Sequence, residues 1–327
     1  MKLNAILSSG LMAAVALAAP TPTIDEPNAS FNKRASVTET PGGYASQNGG
    51  TTGGAGGTTT TVSSFAQFTA AVAGDAKKVV FVSAPITSSV KQVKIGSNTS
   101  VIGKSSKVVF TGFGVLVKDA KNVIIRNIGI ANVVAANGDA LGIQKSTNVW
   151  VDHVDLSSDR DHDKDFYDGL LDATHAADFI TITNSKIHDH WKASLVGHSD
   201  SNKAEDTGKL RITYANNHWL NINSRGPSFR FGTGHMFNNY YENVSDGINT
   251  RSGAQVLVEN NIWAGKSSKA LYTVNDGGAV ASGNDFGPSE NTAPAGTLKT
   301  VPYKYTLVAA SAVKAAVVGK AGNTLTF

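Results

Sequence analysis

One short alternating pattern recurs along the middle of the chain and limits the fold more than any other feature. Each copy has apolar side chains at every second position over four or five residues, then a polar residue that is often Asn, and then another short apolar run. The copies begin at Asn122, Asn148, Phe179, Leu210, Gly234 and Val256. The repeat is too short to hold a crossover helix in each unit, which indicates a solenoid of stacked β-coils.

The Asn that follows the first strand of a copy supports the same prediction. An Asn side chain can bond the backbone of its own turn and tolerates left-handed dihedral angles, so these residues are expected to stack at one bend of the coil. The predicted stack is Asn127, Asn184, Asn217, Asn239 and Asn261. A β-sandwich, the alternative with short alternating strands, does not explain a repeated Asn after the strand.

Both ends of the repeat region have the pattern of short helices. From Ser63 to Val72, Phe65, Phe68 and Val72 share one helical face behind a possible Ser N-cap. Residues 307–318 are rich in Ala and Val and stop before Gly319. We therefore predict an all-β parallel β-helix with a short N-terminal capping helix and a C-terminal helical segment.

The first residues have the pattern of an export signal. Lys2 precedes an apolar run from Leu11 to Ala19 that is too short to span a bilayer and ends in small residues. We predict a signal peptide at residues 1–19, a pro-segment at 20–34 that ends in the dibasic pair Lys33-Arg34, and one catalytic domain at 35–327. The protein is expected to be secreted and monomeric, without a membrane span.

Composition is consistent with an extracellular domain that holds itself together without disulfides. The chain has no Cys, 41% hydrophobic residues and 17% charged residues. Its net charge of +4 is mild, and no Lys/Arg run with interleaved aromatic residues is present, so nucleic acid is not an expected partner. Sequons at Asn98 and Asn243 are possible glycan sites.

Three carboxylates form the candidate metal site. Asp168 and Asp172 lie in one short apolar stretch, and Asp139 holds a comparable place one coil earlier. Three carboxylates close together on adjacent coils need a cation, and oxygen ligands with open positions suit Ca²⁺. The acidic run 159–165 lacks the remaining positions of an EF-hand loop and is better explained as a solvated loop.

Cationic residues follow on the next coils. Lys192, Arg225 and Arg230 would lie beside the Asp group, and the two Arg side chains could both face one groove. His188 and His190 flank Asp189 and could bind zinc, but no third ligand follows at a recognisable spacing.

The sequence resembles the fungal pectate lyases of polysaccharide lyase family 1. The resembling stretches include Asn148-Val-Trp-Val-Asp-His153, Tyr167-Asp-Gly-Leu-Leu-Asp172 and His190-Trp-Lys-Ala-Ser-Leu-Val-Gly-His-Ser-Asp200. The element from Arg225 to Arg230, with Pro between the two Arg residues, completes the set. The resemblance implies a right-handed parallel β-helix with three sheets and an extracellular enzyme that cleaves polygalacturonate by β-elimination with Ca²⁺.

By motif match, the resemblance also implies roles for single residues. Asp139, Asp168 and Asp172 take the place of the calcium ligands, Lys192 and Arg230 that of the substrate-binding cations, and Arg225 that of the proton-abstracting base. Some relatives carry a further acid where this chain has Asn137. The calcium-independent pectin lyases have Arg in place of the last ligand, whereas this chain keeps Asp172.

Two other functions fit a solenoid of this kind. A polygalacturonase would use paired carboxylates, one as acid and one as base, and would need neither calcium nor the Lys/Arg group. An adhesin or carbohydrate-binding surface would release no product. Shortening of the polymer distinguishes both enzymes from a binding surface. Formation of a conjugated double bond then distinguishes the lyase from the hydrolase.

Overall fold

The computed structural model describes residues 35–327 and, before them, only a strand at Thr23–Ile24. The predicted signal peptide and the rest of the predicted pro-segment lie outside the described residues. Strand Thr23–Ile24 pairs in parallel with Thr306–Leu307.

Strands dominate the described residues. In chain order they are β1 (Thr23–Ile24), β2 (Thr58–Val62), β3 (Lys78–Val82), β4 (Ile86–Thr87), β5 (Val93–Ile95), β6 (Thr99–Gly103), β7 (Val109–Thr111), β8 (Val115–Lys118), β9 (Lys121–Arg126), β10 (Gly129–Ala131), β11 (Leu141–Gln144), β12 (Thr147–Asp152), β13 (Asp155–Ser157), β14 (Leu171–Thr174), β15 (Asp178–Thr183), β16 (Lys186–Lys192), β17 (Leu195–Val196), β18 (Arg211–Ala215), β19 (His218–Ser224), β20 (Ser228–Arg230), β21 (Thr233–Phe237), β22 (Tyr240–Val244), β23 (Asp246–Arg251), β24 (Gln255–Glu259), β25 (Ile262–Ala264), β26 (Lys269–Val274), β27 (Gly278–Ser282) and β28 (Thr306–Leu307).

Helices are short. The α-helices are α1 (Phe65–Val72), α2 (Lys203–Asp206) and α3 (Ala310–Val317), and single 3₁₀ turns lie at Tyr44–Ser46, Ala135–Asn137 and Asp200–Asn202.

From β3 to β27, every third strand joins the same sheet, so the chain winds as a parallel solenoid with three faces. Sheet I has the order β2-β3-β6-β9-β12-β15-β18-β21-β24-β27, sheet II β4-β7-β10-β13-β16-β19-β22-β25, and sheet III β5-β8-β11-β14-β17-β20-β23-β26. All pairings between strands within these sheets are parallel, as for β12 with β9 and β15. The predicted β-helix with three sheets is confirmed.

The core lies inside the coils because equivalent side chains of successive strands stack. Val123, Val149, Ile180 and Ile212 hold one register position of sheet I, and none is exposed to solvent. On the inner face of sheet II, the rings of Trp219, Tyr241 and Trp263 stack, with centroid separations of 5.7 Å and 4.5 Å. Stacking at one-coil spacing continues the apolar core along the whole solenoid.

The bend between sheets I and II corrects the predicted Asn stack. Its first position has a left-handed φ in every coil from β9 to β27, and it holds Asn127, His153, Asn184, Asn216, Asn238, Asn260 and Gly283. The hydrogen-bonded ladder lies one residue later and holds Ser185, Asn217, Asn239, Asn261 and Asn284. Asn127 and Asn184 were therefore placed wrongly in the ladder, because left-handed bends and side-chain ladders both favour Asn.

The two predicted helices are confirmed. Ser64 caps α1 by accepting a hydrogen bond from the Gln67 amide, and Phe68 of this helix packs on Phe110 and Phe113 at the first coils. Helix α3 begins at Ala310 rather than 307 and packs through Val313 on the outer side of sheet II. Within residues 35–327, no helix is both long and apolar enough to cross a bilayer.

Candidate active site

All six predicted site residues lie where the chain passes from sheet II to sheet III or in the strand that follows. Asp139 precedes β11, Asp168 precedes β14 and Asp172 lies in β14; Lys192 ends β16, Arg225 follows β19 and Arg230 ends β20. These segments stack on one another because β14 pairs with β11 and β16 pairs with β19. The repeat thus brings residues that are 91 positions apart in the chain to one edge of the solenoid.

Asp139 and Asp172 face the same small space. The Gly169 amide donates to Asp139 Oδ1 at 3.0 Å, and the Leu195 amide donates to Asp172 Oδ1 at 2.9 Å. A Cβ added to Gly169 would lie 2.5 Å from Asp172 Oδ1 and 2.9 Å from Asp139 Oδ1. Only glycine fits there, so Gly169 leaves room between the two carboxylates.

The two carboxylates carry more negative charge than their surroundings compensate. Burial, and next the charge of Asp168, raises the pKa of Asp139 to about 7. Burial, and next the charge of Asp139, raises the pKa of Asp172 well above its ordinary value. The charge of Arg225 lowers both pKa values without forming an ion pair to either group. Such a pair is expected to hold a cation or a proton.

The donor set suits Ca²⁺ because all candidate ligands are carboxylate oxygens. Asp139 and Asp172 face one space that could hold an ion, whereas the Asp168 carboxylate is half-exposed and lies 3.9 Å from Lys192 Nζ. In residues 35–327, no group of three or more His, Asp or Glu side chains has the geometry to hold a metal ion. Two candidate ligands thus converge, and Asp168 would have to turn from Lys192 to become a third.

Lys192 is engaged by carboxylates of the preceding loop. Its Nζ lies 3.1 Å from Asp165 and 3.9 Å from Asp168. The acidic run 159–165 is therefore not merely solvated, because Asp165 neutralises a predicted substrate-binding cation. An incoming anion would replace Asp165 at Lys192 rather than meet a free ammonium group.

Arg225 differs from Lys192 and Arg230 because its side chain has no partner among the described residues. Within residues 35–327, its guanidinium forms no ion pair or hydrogen bond, although its carbonyl accepts from the Ser194 amide at 2.9 Å. Its φ of 63° is unusual for a non-glycine residue. Arg225 is half-buried and available to a ligand.

Arg230 is held more tightly than the sequence indicates. Its Nε donates to Asp200 at 2.7 Å, its Nη1 donates to the Gly197 carbonyl at 3.0 Å, and the residue is only 9% exposed. Asp200 belongs to the stretch that carries the family resemblance, but sequence reasoning assigned it no role. No spacing rule links residues 200 and 230.

His190 supports Asp168 and does not form a zinc pair with His188. Its Nε2 donates to the Asp168 carbonyl at 2.6 Å, and its Nδ1 accepts from the Ser158 hydroxyl at 2.6 Å. Burial lowers the pKa of His190 to about 4, so the ring is neutral and keeps this tautomer. His188 instead bonds Asp155 and Asp189.

Comparison with known proteins gives one consistent family. A pectate lyase family model matches residues 5–325. A probable pectate lyase A of Aspergillus fumigatus is 67% identical over 327 residues and covers the whole of both chains. Pectate lyase A of Emericella nidulans is 64% identical over 312 residues, which are 95% of each chain.

Solved structures agree with these relatives. A pectate lyase from Bacillus sp. N165, crystallised in complex with trigalacturonate, superimposes with a TM-score of 0.78 at 33% identity. The match covers 86% of this chain and 98% of the Bacillus chain. A pectate lyase variant from Xanthomonas campestris superimposes with a TM-score of 0.67 at 25% identity, over 86% of this chain and 98% of that one.

Proposed function

Since the chain belongs to the pectate lyase family, we propose that it cleaves α-1,4-linked polygalacturonate by calcium-assisted β-elimination and releases 4,5-unsaturated oligogalacturonates. The observation that carries the proposal is that uncompensated carboxylates and an unpaired cation lie at one edge of the described solenoid. There the buried Asp172 and the half-buried Asp139 face one small space with raised pKa values, and within residues 35–327 the guanidinium of Arg225 forms no ion pair with an acid. A bound uronate and a divalent cation together would satisfy both.

The reaction needs a base next to C5 of a galacturonate unit. The C5–H bond breaks as the proton moves to the base, a double bond forms between C4 and C5, and the C4–O bond breaks with its electron pair on the leaving oxygen. We assign the base to Arg225 because its guanidinium forms no hydrogen bond or ion pair with the residues that the structure describes. Only a neutral guanidine can accept a proton, and this form is scarce at neutral pH, so we expect an alkaline optimum.

Charge on the uronate carboxylate rises as the C5 proton leaves. Lys192 and Arg230 would bind this carboxylate and its neighbours along the polymer, and preorganised cations are most effective where charge develops. Asp139, Asp168 and Asp172 would hold Ca²⁺, which supplies further positive charge beside the carboxylate when bound. His190 would keep the Asp168 segment in place through its hydrogen bond to the backbone.

The same proposal includes an extracellular site of action. It is supported by the signal-like pattern at residues 1–19 and by the nature of the substrate, a cell-wall polymer. Glycans at Asn98 and Asn243 stay predictions; both amides already donate hydrogen bonds, to the Asp75 carbonyl and to Asn221 Oδ1. A monomeric state also stays a prediction.

The test is the ultraviolet absorbance of polygalacturonate incubated with purified protein, with calcium and, separately, with a chelator. The proposal predicts an absorbance increase that requires calcium, because only elimination creates a conjugated double bond. Shortening of the polymer without absorbance would identify a hydrolase. An intact polymer that remains bound would identify a carbohydrate-binding solenoid.

A further inference from the structure

Asp200 joins two neighbouring coils at the edge of the candidate site. Its Oδ1 accepts from Arg230 Nε at 2.7 Å and from the Ser252 hydroxyl at 2.9 Å, and its Oδ2 accepts from Arg251 Nη2 at 3.2 Å. Arg230 and Arg251 hold the same register position in β20 and β23. One carboxylate from the loop after β17 thus contacts two stacked arginines.

These contacts fix the plane of the Arg230 guanidinium. Nε is held by Asp200 and Nη1 by the Gly197 carbonyl, so two donors of one planar group have set directions. Within the described part of the chain, Nη2 has no hydrogen-bond partner. The edge of the guanidinium that carries Nη2 therefore remains for an anion, and its direction depends on Asp200.

We infer that Asp200 is a positioning residue for substrate binding, which holds the Arg230 guanidinium in the orientation that receives a uronate carboxylate. The inference rests on the proposed function, in which Arg230 binds polygalacturonate. The effect on substrate binding that this role gives to Asp200 is opposite to the effect of its negative charge. A carboxylate beside the site repels a polyanion, so an Asp200 that acted only by charge would weaken binding, whereas a positioning Asp200 strengthens it.

This opposition in sign allows a matched test. Asp276 lines the same surface cleft of about 520 Å³ as Asp200, and it forms no ion pair or side-chain hydrogen bond within residues 35–327. Asp200→Asn and Asp276→Asn each remove one negative charge from that cleft. We would measure KM and kcat on polygalacturonate with calcium, retention on immobilised polygalacturonate with a chelator, and thermal unfolding by circular dichroism.

An Asn at position 200 has one acceptor oxygen and an NH2 group, so it cannot accept from Arg230 and Arg251 on separate oxygens as Asp200 does. For Asp200→Asn we expect KM to rise about tenfold, kcat to change less than about threefold, and retention without calcium to weaken. Asp276→Asn should keep the wild-type KM or lower it slightly. A purely structural role of Asp200 would reduce the folded fraction and hence kcat, but would leave KM unchanged. A KM for Asp200→Asn that is equal to or below that of Asp276→Asn would overturn the inference.

A second variant covers the case in which Asp200→Asn does not fold. Ser252→Ala removes only one hydrogen bond to Asp200 and should raise KM about twofold. An unchanged KM in Ser252→Ala together with an unfolded Asp200→Asn would count against positioning. Wild-type protein that neither cleaves nor retains polygalacturonate would overturn the proposed function and this inference with it, whereas active wild type with equal KM in all variants would overturn the role of Asp200 alone.

Discussion

Asp139→Asn should stabilise the metal-free protein while it weakens the response to calcium. Asp139 is half-buried beside two other carboxylates, and burial, followed by the charge of Asp168, raises its pKa to about 7. An amide keeps an acceptor for the Gly169 amide but removes the charge. A residue that is useful for binding an ion is thus expected to lower the stability of the folded state without the ion.

The size of this effect follows from the pKa. A tenfold change in proton affinity corresponds to about 1.4 kcal/mol, so a rise from 3.8 to about 7 costs the ionised carboxylate at most about 4 kcal/mol. Partial solvent contact screens the charge, and we take roughly half, about 2 kcal/mol. For a domain of this size, that is a rise in Tm of about 3 °C for Asp139→Asn in chelator at pH 8.

The sign depends on pH. The folded protein binds the Asp139 proton more tightly than the unfolded chain does. The stabilisation from this proton is therefore complete below about pH 4 and is lost as the pH rises through about 7. The difference in Tm between Asp139→Asn and wild type should therefore be small at pH 4 and grow up to about pH 7.

The assay is differential scanning calorimetry in chelator and in calcium at several pH values, with Asp276→Asn as a control for removal of an exposed charge. Calcium should raise the Tm of wild type more than that of Asp139→Asn. A lower Tm for Asp139→Asn than for wild type in chelator at pH 8, or an equal calcium response of the two proteins, would refute the reasoning.

Three further predictions test other parts of the account. Arg225→Lys should lower kcat at least about a hundredfold with little change in KM, and near-full activity at every pH in steady-state kinetics would remove Arg225 as the base. Asn239→Ala leaves the buried Asn217 amide without its acceptor and should lower the free energy of unfolding by about 3 kcal/mol in urea denaturation; a loss below about 1 kcal/mol would show that the ladder is not needed for stability. Burial opposes ionisation of Asp152, but its hydrogen bond to His153 holds its pKa below the ordinary value, so its contribution is present above about pH 4 and is lost as the pH falls further. Asp152→Asn should therefore destabilise by about 3 kcal/mol at pH 7 and by much less at pH 3, and equal losses at both pH values would contradict this sign.

The repeat made the architecture predictable because period-two strands and a recurrent bend are local features. The same reasoning misplaced Asn184 by one residue, since Asn is favoured both by a left-handed φ and by a side-chain ladder. The left-handed position and the ladder position are consecutive residues of the same bend. Only the pairing register of neighbouring coils shows which residue holds which position. Helix α3 was predicted from its Ala and Val content, and its start moved from 307 to 310 because Thr306–Leu307 pairs with another strand.

From the sequence, only those site residues could be predicted whose own side chains have a recognisable chemical role. Charged groups such as Asp172 and Arg225 stand out in a sequence. The residues that support these groups do not stand out. Gly169 leaves space between two carboxylates that a Cβ would fill, and His190 holds the Asp168 segment through a hydrogen bond to a backbone carbonyl. Asp200 contacts the site through Arg230 on the next coil. Such contacts join residues that only the stacking of coils brings together.

The masses of the products test the central claim most directly. Polygalacturonate digested with the wild-type protein in calcium would be analysed by mass spectrometry of the released oligomers. Elimination predicts that each fragment from the new non-reducing end is one water lighter than the corresponding saturated oligomer, and that such fragments are absent in chelator. Fragments with the full mass of hydrolysis products, or unsaturated fragments formed equally well in chelator, would contradict calcium-assisted β-elimination.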